Sequence, residues 1–318
     1  MQRNYSIDSL KFVCAFLVVL LHTDCAFHYA LLPLTKCAVP CFFIISGYLL
    51  YDGGRIGSSR LKRSVVHIAK IMFWATLLFA VFKEVGALRH HGLYVPTLND
   101  LATFVIFNEN PFGFHLWYLG AYLYVLFLMM YVNWQRKWNL AFIAAALMLV
   151  GDILFYLLLC DNEIQVFAYR NFLGIGLPYF VMGIWIKRNT AFEYKTRSLL
   201  FLFILFSITS IAERSILAML DANPAREYYI STTFLAVVLF MLFLSFKQEQ
   251  HTLISKLGEK YSLYIYIFHP LFLMCFRPII QILPAPLATI YYCTAAPFII
   301  LSASVMFTMA LKRLKLVP

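Results

Sequence analysis

The chain has 318 residues, of which 62% are hydrophobic and 13% charged, with a formal net charge of +11. A soluble domain of this length carries about a quarter charged residues. The mean hydropathy of +0.78 excludes that class and predicts an all-α, polytopic membrane helix bundle. The basic residues sit in short gaps between apolar runs, where they report topology and not nucleic-acid binding.

Ten spans are predicted, at about 9–30, 35–51, 66–88, 114–133, 139–160, 170–187, 197–217, 230–246, 260–280 and 286–311. Most reach the ~20 residues a crossing needs. The second and eighth are short, and the second holds Pro40 and Gly47, which a helix tolerates when it is buried in protein or lines a cavity. Basic residues cluster at alternate gaps: Arg3; Arg55, Arg60, Lys62 and Arg63; Arg136 and Lys137; Lys187, Arg188, Lys195 and Arg197; Lys247, Lys256 and Lys260; Lys312, Arg313 and Lys315. The opposite gaps carry Asp100 and Glu109, then Asp161 and Glu163, then Asp221, Arg226 and Glu227. The positive-inside rule then makes both termini cytoplasmic. No gap is long enough for a separate soluble domain, so residues 1–318 are expected to form one integral-membrane domain. The longest, about residues 89–113, lies outside and has room for a re-entrant or amphipathic piece.

The seven cysteines, Cys14, Cys25, Cys37, Cys41, Cys160, Cys275 and Cys293, fall mostly inside apolar runs and make no CxxC pair. They read as small core residues. With no HExxH, P-loop or GxSxG present, no metal site, ATP-driven pump or hydrolase is expected.

Ionisable groups at membrane depth are costly and therefore mark functional candidates. In SIDSLKFVCAFLVVLLHTD, Lys11 and His22 are eleven residues apart, which puts them within roughly 20° of one helix face and about 16 Å apart along it. Asp8 lies one turn before Lys11 on that side. A histidine there is either hydrogen-bonded to a neighbouring helix or a general base on a hydroxyl. Arg60 and Arg63 are one turn apart and share a face if the third helix starts early. They suit a phosphate, although simple positive-inside charge accounts for them too. His115 and Trp117, in GFHLWYLGAYL, sit at an outer boundary, where an aromatic belt explains the tryptophan but not the histidine. In YSLYIYIFHPL, His269 lies near mid-depth beside Pro270, which removes a backbone donor. Ser262 and Tyr266 are suited to interhelical hydrogen bonds. Asp152, Glu213, Arg214 and Arg277 are further inner charges, the adjacent Glu213 and Arg214 being explained by solvation or local pairing.

In order along the chain, these segments resemble the acyltransferase family 3 of membrane proteins, which includes bacterial O-acetyltransferases of surface polysaccharides. The resemblance rests on the basic-x10-His spacing of Lys11 and His22, on VPCFFIISGYLL with its Ser46-Gly47-Tyr48, on the RxxR of Arg60 and Arg63, on HLWYL, and on YSLYIYIFHPL. It spans nearly the whole chain. It implies an acyl-CoA co-substrate, most often acetyl-CoA, with no bound cofactor, and transfer to a hydroxyl of a surface glycan or a lipid-linked sugar precursor. By the same resemblance His22 is the catalytic histidine, with Lys11 and Asp8 beside it. Arg60 and Arg63 lie near CoA, and Ser46, His115, Trp117, Tyr264 and His269 are acceptor-side or supporting residues. Lys11 stands where arginine is common, so its contact is a point charge and not a fork. The pantetheine arm of CoA is comparable in length to the Lys11–His22 spacing. The expected setting is a bacterial cytoplasmic membrane, among lipids and envelope-polysaccharide assembly proteins. A glycan or metabolite flippase and a non-catalytic assembly partner are the rival readings.

Overall fold

A computed structural model describes residues 4–88, 92–158, 166, 169–189, 195–220, 222–223 and 225–317. Arg3, Cys160, Asp161, Glu163 and Asp221 of the topology and cysteine expectations lie outside the described residues, as do the first residues of the long outer gap. The protein is 81% helical with almost no sheet, so it is all-α. Among the described residues, seven helical segments are long and apolar enough to cross a membrane: His28–Leu50, Ser58–Leu88, Phe114–Gln135, Trp138–Leu158, Thr196–Met219, Leu253–Gln281 and Ala285–Arg313. It is a multi-pass membrane protein. The first, sixth and eighth expected spans coincide with shorter helices.

The chain forms two compact units. The first comprises residues 1–42, 194–224 and 229–318. It holds α1 (Ser6–His22), α2 (His28–Thr35) and the start of α3 (Ala38–Leu50), followed later by α9 (Thr196–Met219), α10 (Ile230–Ser245), α11 (Leu253–Gln281), α12 (Ala285–Ile290) and α13 (Ala296–Arg313). The expected first span does not run on to residue 30. Helix α1 stops at His22 because Thr23 turns extended (φ −112°, ψ 138°) and its hydroxyl donates back to the Val19 carbonyl at 3.0 Å.

Helix α1 packs chiefly on α11. Its Leu10, Cys14, Ala15, Val18 and Val19 are buried, as are Ile265, Ile267 and Phe268 of α11. Lipid is as apolar as these side chains, so close packing and not water exclusion holds such helices together. Gly258 permits it: a Cβ there would lie 1.8 Å from the Asp8 carbonyl oxygen. Glu213 of α9 caps α10, accepting from the backbone N–H groups of Ile230 (2.9 Å) and Ser231 (3.0 Å) and from the Ser231 hydroxyl. A carboxylate is favoured at that positive helix end. Its neighbour Arg214 donates to the Tyr29 carbonyl at 2.7 Å and lies over the Tyr29 ring. Local pairing therefore accounts for both.

The second unit comprises residues 43–193 and 225–228. It holds the rest of α3, a hairpin of β1 (Tyr51–Asp52) and β2 (Arg55–Ile56), α4 (Ser58–Leu88), α5 (Leu98–Phe107), α6 (Trp117–Gln135), α7 (Trp138–Leu158) and α8 (Leu177–Arg188). Gly53 and Gly54 form the two-residue turn of the hairpin at φ 55° and 88°, a left-handed conformation that glycine adopts without strain. The third span begins eight residues before the predicted residue 66. Helix α4, with its 31 residues, is about 46 Å long, longer than the ~30 Å hydrocarbon layer. Its basic first turns therefore extend past the apolar region. Two glycines let α3 and α8 touch backbone to backbone: a Cβ on Gly47 would meet the Phe180 carbonyl oxygen at 1.9 Å, and one on Gly183 would meet that of Ile44 at 2.1 Å. The long gap expected to lie outside contains α5, an apolar helix opened by a capping box of Thr97 and Asp100.

Candidate active site

In the first unit, one continuous helix carries Asp8, Lys11 and His22. Asp8 lies in the first turn of α1 and is buried, and the Lys11 ammonium donates to its Oδ1 at 2.9 Å. The carboxylate sits at the positive end of the helix. His22 is the last residue of α1 and half-buried, so its imidazole stands at the negative pole.

Opposite it stands His269 of α11. The two imidazoles are stacked, with ring centroids 5.2 Å apart and planes 24° apart. His269 is completely buried. Its Nδ1 is 2.8 Å from the Tyr266 carbonyl oxygen and 3.2 Å from that of Ile265. Carbonyl oxygens only accept, so Nδ1 carries the hydrogen, and Nε2 of the neutral ring is the acceptor. The sequence explains this geometry. Pro270 has no N–H, so it cannot donate to Tyr266 four residues back, and the preceding histidine supplies the missing hydrogen. The His-Pro pair thus sets a tautomer without breaking α11, which runs through both Pro270 and Pro278. Tyr264 is buried against Phe268, and the Lys312 ammonium lies 5.1 Å from its ring centre.

In the second unit, Arg60 and Arg63 lie on the first turns of α4, on one face and exposed. Arg60 donates to the Leu49 carbonyl at 3.4 Å and Arg63 to that of Ser59 at 3.3 Å. Both line a cleft of about 440 Å³ beside the hairpin. Ser46 shares a hydrogen bond with Tyr122 of α6. His115 is buried in a short 3₁₀ turn before α6, edge-on to Phe79 with ring centres 4.5 Å apart. Trp117 is buried as well and is not a lipid-facing belt residue; the 3₁₀ turn swings it inward.

The structure thus joins Lys11 to Asp8, His22 to His269, and Arg60 to Arg63. Ser46, His115 and Trp117 belong to the second unit and Tyr264 to the first. Sequence reasoning missed the hairpin and the residues facing it. A larger cleft of about 900 Å³ lies there, lined by Arg55, Lys62, Asn133, Trp134, Arg136 and Trp138 among others. The Asp-Gly-Gly-Arg run at residues 52–55 is the signal that announces such a turn. Sequence reasoning also missed the stack of two histidines 247 residues apart, for which local sequence holds no signal.

A family model described as an acyltransferase domain matches residues 4–309. The chain is 26% identical over 295 residues to the serine/alanine racemase of Enterococcus gallinarum, a match covering 84% of this chain and 40% of that protein. It is 25% identical over 310 residues to an amino-acid racemase of Enterococcus faecalis, covering 89% of this chain and 43% of the relative. The chain therefore spans about two-fifths of the length of these curated relatives. No solved structure matches. With nearly its whole length inside the family model, and with apolar helices long enough to cross a bilayer, the chain belongs to acyltransferase family 3 and is a membrane protein of the acyltransferase type.

Proposed function

We propose that the protein is a membrane O-acyltransferase that moves an acyl group, acetyl in the simplest case, from cytoplasmic acyl-CoA to a hydroxyl of a surface glycan or its lipid-linked precursor. The observation that carries this reading is the His22–His269 stack inside a chain of this family. In this mechanism His22 takes the proton from the acceptor hydroxyl as that oxygen attacks the thioester carbonyl. The tetrahedral intermediate collapses, the C–S bond breaks, and the imidazolium returns its proton to the thiolate, leaving free CoA and an ester. The negative pole of α1 favours the cation that forms on His22. His269, locked by its backbone bond, holds the ring of His22 in place. Lys11 keeps a donor on the same face of α1, steadied by Asp8. Arg60 and Arg63 contact the phosphates of CoA, and His115, Trp117, Ser46 and Tyr264 support the acceptor side. The reading includes ten crossings with both ends cytoplasmic, one integral-membrane domain over residues 1–318, and a bacterial cytoplasmic membrane in contact with polysaccharide-assembly proteins.

Purified protein given labelled acetyl-CoA and a polysaccharide or lipid-linked acceptor is expected to transfer label, and His22→Ala to abolish transfer. Full transfer by His22→Ala removes the claim. An acyl-histidine intermediate is the alternative chemical route; it leaves label on His22 in a single turnover without acceptor.

The second reading is a transporter. The observation favouring it is that the two relatives are named for racemases, and that more than half of each lies outside the match. A membrane portion of that kind would carry a small amino acid. Uptake of labelled serine by proteoliposomes, with no binding of CoA, would establish this reading in place of acyl transfer.

A further inference from the structure

We propose that the 900 Å³ cleft between the hairpin and the α6–α7 turn receives the nucleotide end of the donor, with its base against Trp134 and Trp138 and its phosphates against Arg55, Lys62 and Arg136. The inference rests on the acyl-CoA reading above and extends it beyond Arg60 and Arg63 to a defined binding cleft.

The cleft is built, not incidental. Its volume falls within the range of small-molecule sites. The Gly53-Gly54 turn lines it, and nothing lies within 4 Å of the position a Cβ would take on either glycine. The hairpin is tied to the end of α6, where the Ile56 N–H donates to Asn133 Oδ1 at 3.3 Å. Trp138 is held edge-on by Tyr51, with ring centres 5.4 Å apart. Trp134 is 77% exposed, an indole face left for a planar partner. Arg136 caps α6 in the left-handed region at φ 55°, which turns the chain sharply at the mouth.

The charge in the cleft has one sign. Arg55, Lys62 and Arg136 line it, and among the described residues no acidic side chain does. Gly57, Ser58 and Ser59 also line it, at the start of the 31-residue α4, and the first N–H groups of a helix favour phosphate. Positive-inside topology accounts for basic residues here but not for a concave site with two indoles. Guanidinium forks bind phosphate bidentately, and bases stack on aromatic faces whatever their identity. A molecule that carries both a purine and several phosphates uses the whole cleft. Gly53, Arg55, Gly57 and Ser59 also line the smaller cleft of Arg60 and Arg63, so the two clefts share a wall; Asp52 lines the smaller cleft alone.

Anionic lipid headgroups share the phosphate chemistry but lack the base, and the test separates them. Full-length protein in detergent is titrated calorimetrically with coenzyme A, with adenosine 3′,5′-bisphosphate and with short-chain phosphatidylglycerol. Wild type is expected to bind the first two. Arg55→Gln, Arg136→Asn and Trp134→Ala are each expected to weaken them about tenfold, and Trp134→Phe to recover most of the loss. Asparagine suits the left-handed position 136, and Trp134 is exposed, so these variants fold. If wild type binds coenzyme A and the variants bind it equally well, this cleft is not the site while the donor reading survives. If wild type binds no coenzyme A, both fall. If phosphatidylglycerol binds and the bisphosphate does not, the cleft is a lipid site and the proposal is overturned.

Discussion

Gly258 lies against the backbone of Asp8 so closely that a methyl group there would sit 1.8 Å from the Asp8 carbonyl oxygen. The contact sets the spacing of α1 and α11, the two helices that carry His22 and His269. Gly258→Ala is expected to force them apart and cost about 1–3 kcal/mol. Gly86 in α4 has nothing within 4 Å of its Cβ position, so Gly86→Ala is expected to be neutral or to gain about 0.5–1 kcal/mol. Thermal unfolding in detergent measures both; equal effects would remove the argument from close packing.

Pro270 and His269 are expected to separate stability from rate. Pro270→Ala restores a backbone N–H to the Tyr266 carbonyl, so α11 gains a hydrogen bond and His269 loses its lock. The melting temperature should rise while kcat for acyl transfer falls, with KM for acyl-CoA little changed. A variant that is more stable and equally fast would show that the histidine tautomer is immaterial.

Lys11→Met leaves the buried Asp8 carboxylate without its ammonium. The expected loss is roughly 1.5–3 kcal/mol. Adding Asp8→Asn should recover part of it, because the carboxylate charge that the Lys11 ammonium balanced is gone. Chemical or thermal denaturation of the two single variants and the double variant closes the cycle; strict additivity would mean the pair does not interact.

Gly54 has φ 88°, so Gly54→Val strains the hairpin turn, since a β-branched residue is a backbone outlier there. Binding of coenzyme A is expected to weaken while the apolar helices stay folded. Helical circular dichroism and calorimetry together report this; unchanged affinity would detach the hairpin from donor binding.

Hydrogen bonds from the Thr97 backbone and then its hydroxyl hold the Asp100 carboxyl below its usual range. A lowered carboxyl pKa stabilises α5 fully above the unfolded value, about 3.9, and loses that contribution as pH falls through the folded value. Amide hydrogen exchange in residues 98–107 should therefore quicken, beyond its intrinsic pH dependence, only in that acidic window. Asp100→Ala should show the faster exchange already at neutral pH.

Much of this protein was legible along the chain. Hydropathy alone determines an all-α membrane protein, because a backbone in lipid must satisfy its own hydrogen bonds. Spacing alone puts Lys11 and His22 on one face of α1, since helical geometry is local, and ordered motifs brought the family into view. Element ends were less legible. The stop after His22 depends on Thr23 turning extended, and the early start of α4 lies under charged residues that hydropathy discounts.

Tertiary structure decided the rest. That His22 stacks on His269, that Trp117 turns inward, and that Trp134 and Arg136 face the hairpin of Gly53 and Gly54 are relations between segments far apart in sequence. The first depends on Gly258, which lets the backbones of α1 and α11 touch, and a single chain read residue by residue holds no record of what its glycines will meet.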